Sequence, residues 1–115
     1  MLQNLAVFHV GLQEYDKALT FFEAAIKANP RDVLSYSNAA GISVMFGRLD
    51  QAIAYAMKAL AVDPNYGDAY LNLAHALTAK GRKEEARRAY MTLKQIDPSR
   101  ASLADSELKI LSESR

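Results

Sequence analysis

Three asparagines, Asn4, Asn38 and Asn72, stand 34 residues apart. A carboxamide donates and accepts at once, so a ladder of them could bond the main chain of a bound peptide without reading its side chains. The same residue type also bonds neighbouring backbone inside a helical pair, and that alternative stays open. Acid–base and metal chemistry have less to work with. His9 and His75 are the only histidines; helical spacing puts them on different helices and faces, and neither has further ligand types around it. Glu84-Glu85 reads as the acidic start of a helix, favoured there by the helix dipole. The chain has no Gly-rich phosphate loop, nucleophile elbow or catalytic carboxylate pair. The expectation is a non-enzyme that needs neither cofactor nor metal.

Composition narrows the partners. With no cysteine the chain forms no disulfide and offers no thiolate. Fourteen Lys+Arg against thirteen Asp+Glu leave a formal charge of +1, which gives no support to nucleic-acid or membrane attraction. Lys80, Arg82, Lys83, Arg87, Arg88 and Lys94 cluster late, but Glu84 and Glu85 interleave with them, so the cluster reads as a solvated helix face. The opening MLQNLAVFHVGL lacks a basic n-region and makes a poor signal peptide. No apolar run approaches the roughly 20 residues that span a bilayer. A cytoplasmic protein is expected.

The elements that position these residues follow from the same period. Pro30, Pro64 and Pro98 are 34 residues apart, as are Ala18, Ala52 and Ala86, and Ala6, Ala40 and Ala74. Such a step marks one supersecondary unit copied along an axis. Each copy reads as a helical hairpin. Tyr70, Leu73, Ala74 and Leu77 follow the spacing of one buried helix face, Gly81 interrupts, and Arg82 to Ile96 resumes. Asp97-Pro98 ends that helix, because the residue before proline is pushed from helical angles. Val33 to Phe46 and Leu49 to Val62 do the same around Gly47. Met1 to Gln13 and Tyr15 to Ala28 complete the set, with Gln13 where the other copies have the glycine that ends a helix cheaply. After Pro98 one more helix, about Ala101 to Leu111, has the polar outer side of an end cap. Seven helices are expected, and the alanines mark where paired helices approach. Ala39, Ser43 and Ala56 are small, which predicts a thinner core in the second copy.

The copies resemble tetratricopeptide repeats. Tyr70, Leu73, Ala74, Leu77, Ala86, Tyr90 and Pro98 occupy the seven signature places of that family in order. Tyr36, Ala39, Ala40, Ser43, Ala52, Ala56 and Pro64 hold them in the second copy, and Leu2, Leu5, Ala6, His9, Ala18, Phe22 and Pro30 in the first. Tryptophan is absent and alanine replaces the signature glycine. The resemblance implies an all-α, right-handed superhelix of antiparallel helix pairs. Its divisions would be repeats at 1–30, 31–64 and 65–98, with a cap at 99–115.

It also implies a concave groove lined by the first helix of each pair. Opposite the core stripe lie Gln3, Asn4, Val7, Val10 and Gly11, then Leu34, Ser37, Asn38, Gly41, Val44 and Met45, then Asp68, Leu71, Asn72, His75, Thr78 and Ala79. The candidate peptide contacts are these residues less Gln3, Val10, Gly11, Met45, Asp68 and Ala79. Some family members hold a peptide with an asparagine ladder; others clamp a C-terminal carboxylate with Lys and Arg. The clamp places here hold Gln3, Val7, Asn38, Asp68 and Asn72, of which only Asn38 fits. The resemblance therefore implies a module binding an extended or helical segment of another protein. The competing reading is a structural or assembly segment, self-associating or part of a longer superhelix. Leu2, Leu5, Val7, Phe8, Val10 and Leu12 favour it: they make the first helix apolar nearly all round, which suits a homo-oligomer contact.

Overall fold

The computed structural model describes residues 2–113, and the side chains of residue 11 and of residues 13–113. Helices α1 (Leu2–Ala28), α2 (Val33–Met45), α3 (Leu49–Val62), α4 (Gly67–Ala79), α5 (Lys83–Ile96) and α6 (Ala101–Glu113) follow one another, with a 3-10 turn at Pro98–Arg100 before α6. No strand occurs among the described residues. Neighbouring helices pack in chain order, and α2 also packs on α4, which makes an all-α solenoid of antiparallel pairs.

Local chemistry places the breaks. Gly47 and Gly81 adopt φ +71° and +80° just after α2 and α4, the left-handed angles that glycine takes without a Cβ penalty. Asp63 and Asp97, each before a proline, leave the helix at φ −134° and −138°. At the start of α2 the Asp32 carboxylate accepts the Ser35 main-chain N–H at 3.2 Å and the Ser35 hydroxyl at 2.7 Å. Those bonds, the hydroxyl's first, hold the Asp32 carboxyl below the usual range.

One expected break is missing. Met1 to Gln13 and Tyr15 to Ala28 do not form an antiparallel pair; α1 is a single helix of 27 residues running through Gln13. Six α-helices therefore stand, among the described residues, where seven were expected. The left-handed angle that turns the other two hairpins costs an L side chain about 1–2 kcal/mol. Leu12, Gln13 and Glu14 are good helix formers instead.

Alanine sets how closely the pairs approach. Ala40, Ala52, Ala56, Ala74 and Ala86 are all wholly buried, and larger residues fill the space beside them. Tyr90 and Leu93 are the largest of these with no exposed surface, and Leu73 and Leu77 pack with them. Helix α6 closes this end with Ala104 and Leu111, helped by a 2.7 Å ion pair from Lys94 to Asp105. In the second pair Ser43 is buried beside Tyr15 of α1, whose hydroxyl lies 3.3 Å from the Ser43 hydroxyl. Tyr15 also donates to Gln51, stacks at 5.2 Å on Phe46 and lies under the Arg48 guanidinium. An aromatic from α1 thus fills room left by the small residues of α2.

Candidate partner-binding cleft

Helices α2 and α4 present faces away from the alanine seams, and the α1 residues Ala18 and Phe22 look toward them. Between the C-terminal half of α1, α2 and α4 these faces enclose an open cleft of about 410 Å³. Ser37, Asn38 and Gly41 of α2 and Leu71 and Asn72 of α4 all line it, so five sequence-selected residues come together. Met45 and Asp68 join them. Leu34, Val44, His75 and Thr78 do not line it. Leu34 is exposed one turn before Asn38, and Val44 is half-buried. His75 packs its ring 6.1 Å from Tyr90, and the Thr78 hydroxyl donates to Ala74 O at 2.8 Å. Asn4 and Val7 lie outside the described side chains, as does the apolar surface read from Leu2 to Leu12.

The two described asparagines differ. Asn72 Nδ2 donates to Ser37 O at 3.0 Å and approaches Ser37 Oγ at 3.4 Å, so its amide ties α4 to α2. Asn38 is exposed at the cleft wall. Gly41 lies opposite Asn72, where an added Cβ would make ordinary contact at 3.5 Å with the amide nitrogen. Asp68 pairs with Arg100, which also reaches Asp97 Oδ2 at 3.3 Å. Its charge is thereby compensated at the cleft edge. Part of the late basic cluster is paired too: Arg82 with Glu85 and Arg87 with Glu84, each at 2.7 Å.

Three wall residues escaped the sequence reading: Ala18, Phe22 and Ile42. Ala18 and Phe22 occupy signature places that are interior in the later copies. The signal that could have exposed them was Gln13, because a helix continuing through that position cannot fold back over them. What results is an apolar surface bordered by amides. It can seat side chains and bond a peptide main chain.

Family models described as tetratricopeptide repeat match residues 4–61 and 43–107. The chain belongs to the tetratricopeptide repeat family. It is 37% identical over 90 residues to the small glutamine-rich tetratricopeptide repeat-containing protein 2 of Mycosarcoma maydis, covering 78% of this chain and 26% of that one. The protein of the same name from Saccharomyces cerevisiae is 33% identical over 92 residues, covering 80% and 27%. The chain thus spans about a quarter of the length of these curated relatives. Among solved structures, the TPR2B domain of yeast Sti1, in a complex with pHsp70, superposes with a TM-score of 0.84 at 27% identity, covering 90% of this chain and 86% of that one. No described helix of the repeat chain is long and apolar enough to cross a membrane.

Proposed function

We propose that this tetratricopeptide repeat chain is a non-catalytic interaction module that holds an extended or helical segment of a protein partner in the cleft between α1, α2 and α4. The observation that carries this reading is the joining of Asn38, Gly41, Leu71 and Asn72 with Phe22 and Met45 in one open, charge-compensated cleft. Phe22, Met45 and Leu71 would seat apolar side chains, and Asn38 would bond the main chain beside them. The pHsp70 complex of the yeast neighbour supports capture of a protein partner by such a scaffold. The chemistry differs from carboxylate clamping, however. Among the described residues no Lys or Arg lines the cleft, and the places that would need them hold Asp68 and Asn72.

The proposed ligand is therefore an apolar segment. Selection from a displayed random-peptide library against the folded chain, followed by titration of the selected peptides, tests this. Apolar peptides whose binding is weakly salt-dependent and is lost in Leu71→Asp are the expected result. Acidic C-terminal tails with steep salt dependence, or binding indifferent to Leu71→Asp, would overturn it.

A further inference from the structure

We propose that the occupant of this cleft is residues 2–12 of a second copy of the chain, exchanged reciprocally so that two α1 helices pair antiparallel. The proposal rests on the peptide-binding reading of the cleft and names the peptide.

The first support is the repeat spacing of a hydrogen bond. Asn72 of α4 reaches back 35 residues to Ser37 O of α2. The same step from Asn38 ends on Gln3. The wall of α2 that carries Asn38 is therefore the surface on which a helix one repeat earlier belongs. A second support is burial. Ala52 and Ala56 of α3 and Ala86 and Tyr90 of α5 are wholly buried among the helices packed around them. Ala18 and Phe22 hold the equivalent places on α1, yet both remain half-buried and line the cleft. Around them Phe21 is 70% exposed and Met45 80%.

The third support is the hinge. Residues 2–12 have the required register: Leu2, Leu5, Ala6 and His9 repeat the places of Tyr36, Ala39, Ala40 and Ser43. Helix α1 carries that segment away from the cleft. It runs antiparallel to α2, with Tyr15 beside Ser43 and Gly11 against the Phe46 ring at the end of α2, and continues beyond. At 1.5 Å per residue α1 is about 40 Å long and α2 about 20 Å. The chain thus contains the helix that fits its cleft, on a rod that holds it out of reach. A two-fold axis near Gln13 resolves both facts. Antiparallel pairing of two α1 helices lays residues 2–12 of each on Ala18 and Phe22 of the other, and each cleft is completed by the partner copy.

Light scattering and sedimentation of the full chain over a wide concentration range provide the test. A species of twice the 12.7 kDa chain mass is expected. Gln13→Gly supplies the missing turn and lets the segment close on its own cleft. It should raise the dimer dissociation constant by about tenfold or more, because both helices of the dimer carry the glycine, with the helical circular dichroism retained. Phe22→Glu, which puts charge on the exchanged surface, should also yield monomer with the core around α4 to α6 intact. A wild-type chain that stays monomeric throughout would overturn the exchange, as would a dimer that persists unchanged in both variants. A labelled synthetic peptide of residues 1–13, titrated into wild type and Leu71→Asp, separates the two readings. Monomeric protein that binds this peptide through Leu71 would leave the peptide site standing and remove the exchange; monomer without such binding would also count against the site.

Discussion

The α1 end and the α5 end of the solenoid share a sequence pattern and differ in what covers it. Ala86 and Tyr90 of α5 are wholly buried under α4 and α6, whereas Ala18 and Phe22, in the same repeat places, stay half-buried on α1. One difference at the turn accounts for this contrast. Gly81 takes φ +80° and lets α5 fold back against α4; Gln13 stays helical and α1 runs on. A repeat pattern specifies which surfaces are complementary, and the turn decides whether they meet within one chain. The open end is consequently where the proposed partner would sit.

The largest effect that could break this contrast lies in the aromatics. Tyr90→Ala should cost about 3–5 kcal/mol, the range for emptying a packed aromatic site. Phe22→Ala at low protein concentration should cost about 1 kcal/mol, because its site is already half open. Urea unfolding of both variants at two protein concentrations measures this. Equal losses in the dilute samples would mean that the α1 end is as closed as the α5 end.

Overpacking should divide the same way. Ala52→Leu is expected to cost about 1–3 kcal/mol because its seam is filled, while Ala18→Leu should change stability by less than about 0.5 kcal/mol. Comparing the two melting temperatures decides the matter. A similar drop in both would show that Ala18 is covered in solution.

The asparagines sharpen the comparison at smaller scale. Asn72→Ala loses the bond to Ser37 O and should destabilise the fold by about 0.5–1.5 kcal/mol. Asn38→Ala should leave the dilute chain within about 0.5 kcal/mol of wild type and show its loss in partner binding. Chemical denaturation combined with a binding titration separates these roles. Reversed outcomes would place the ligand contact on α4.

The smallest effect is at alkaline pH. Burial pushes the Tyr90 phenol up to about 12, and burial together with the Glu23 hydrogen bond raises Tyr55 as well. A phenol whose folded value is raised favours folding while it stays protonated. Its contribution is therefore whole below about pH 10, the unfolded value. It is lost as pH climbs through the folded value. Melting curves should decline across pH 10 to about 12, less steeply in Tyr90→Phe. At neutral pH that variant should be close to wild type, because the Tyr90 hydroxyl is buried without a hydrogen-bond partner and Thr78 beside it donates to Ala74 O. Identical alkaline slopes would detach Tyr90 from the effect.

The limits of local spacing show in individual residues. Glycine acts on its own backbone angles and proline on those of the residue before it, so the C-terminal ends of α2, α3, α4 and α5 were legible within a residue of where they stand. Leu71, Asn72, Asn38, Gly41 and Ser37 were legible as one face because helical geometry puts them there. Leu34, Val44, His75 and Thr78 obey the same geometry, yet only the assembled helices showed that the cleft passes them by. The role of Asn72 was open for a related reason: its bond goes to a residue 35 positions away, and only the approach of α4 to α2 determines whether the amide turns inward.

The period, the helical class and the family signature follow from residue types at fixed steps, and the sequence determines them unaided. Whether Ala18 and Phe22 are core or cleft does not. That outcome depends on one position, Gln13, where helix continuation competes with the turn that would let the first pair close. The difference between those states is a small balance of backbone strain against buried surface. A free energy summed over distant contacts resolves such a balance, and only the tertiary structure contains those contacts.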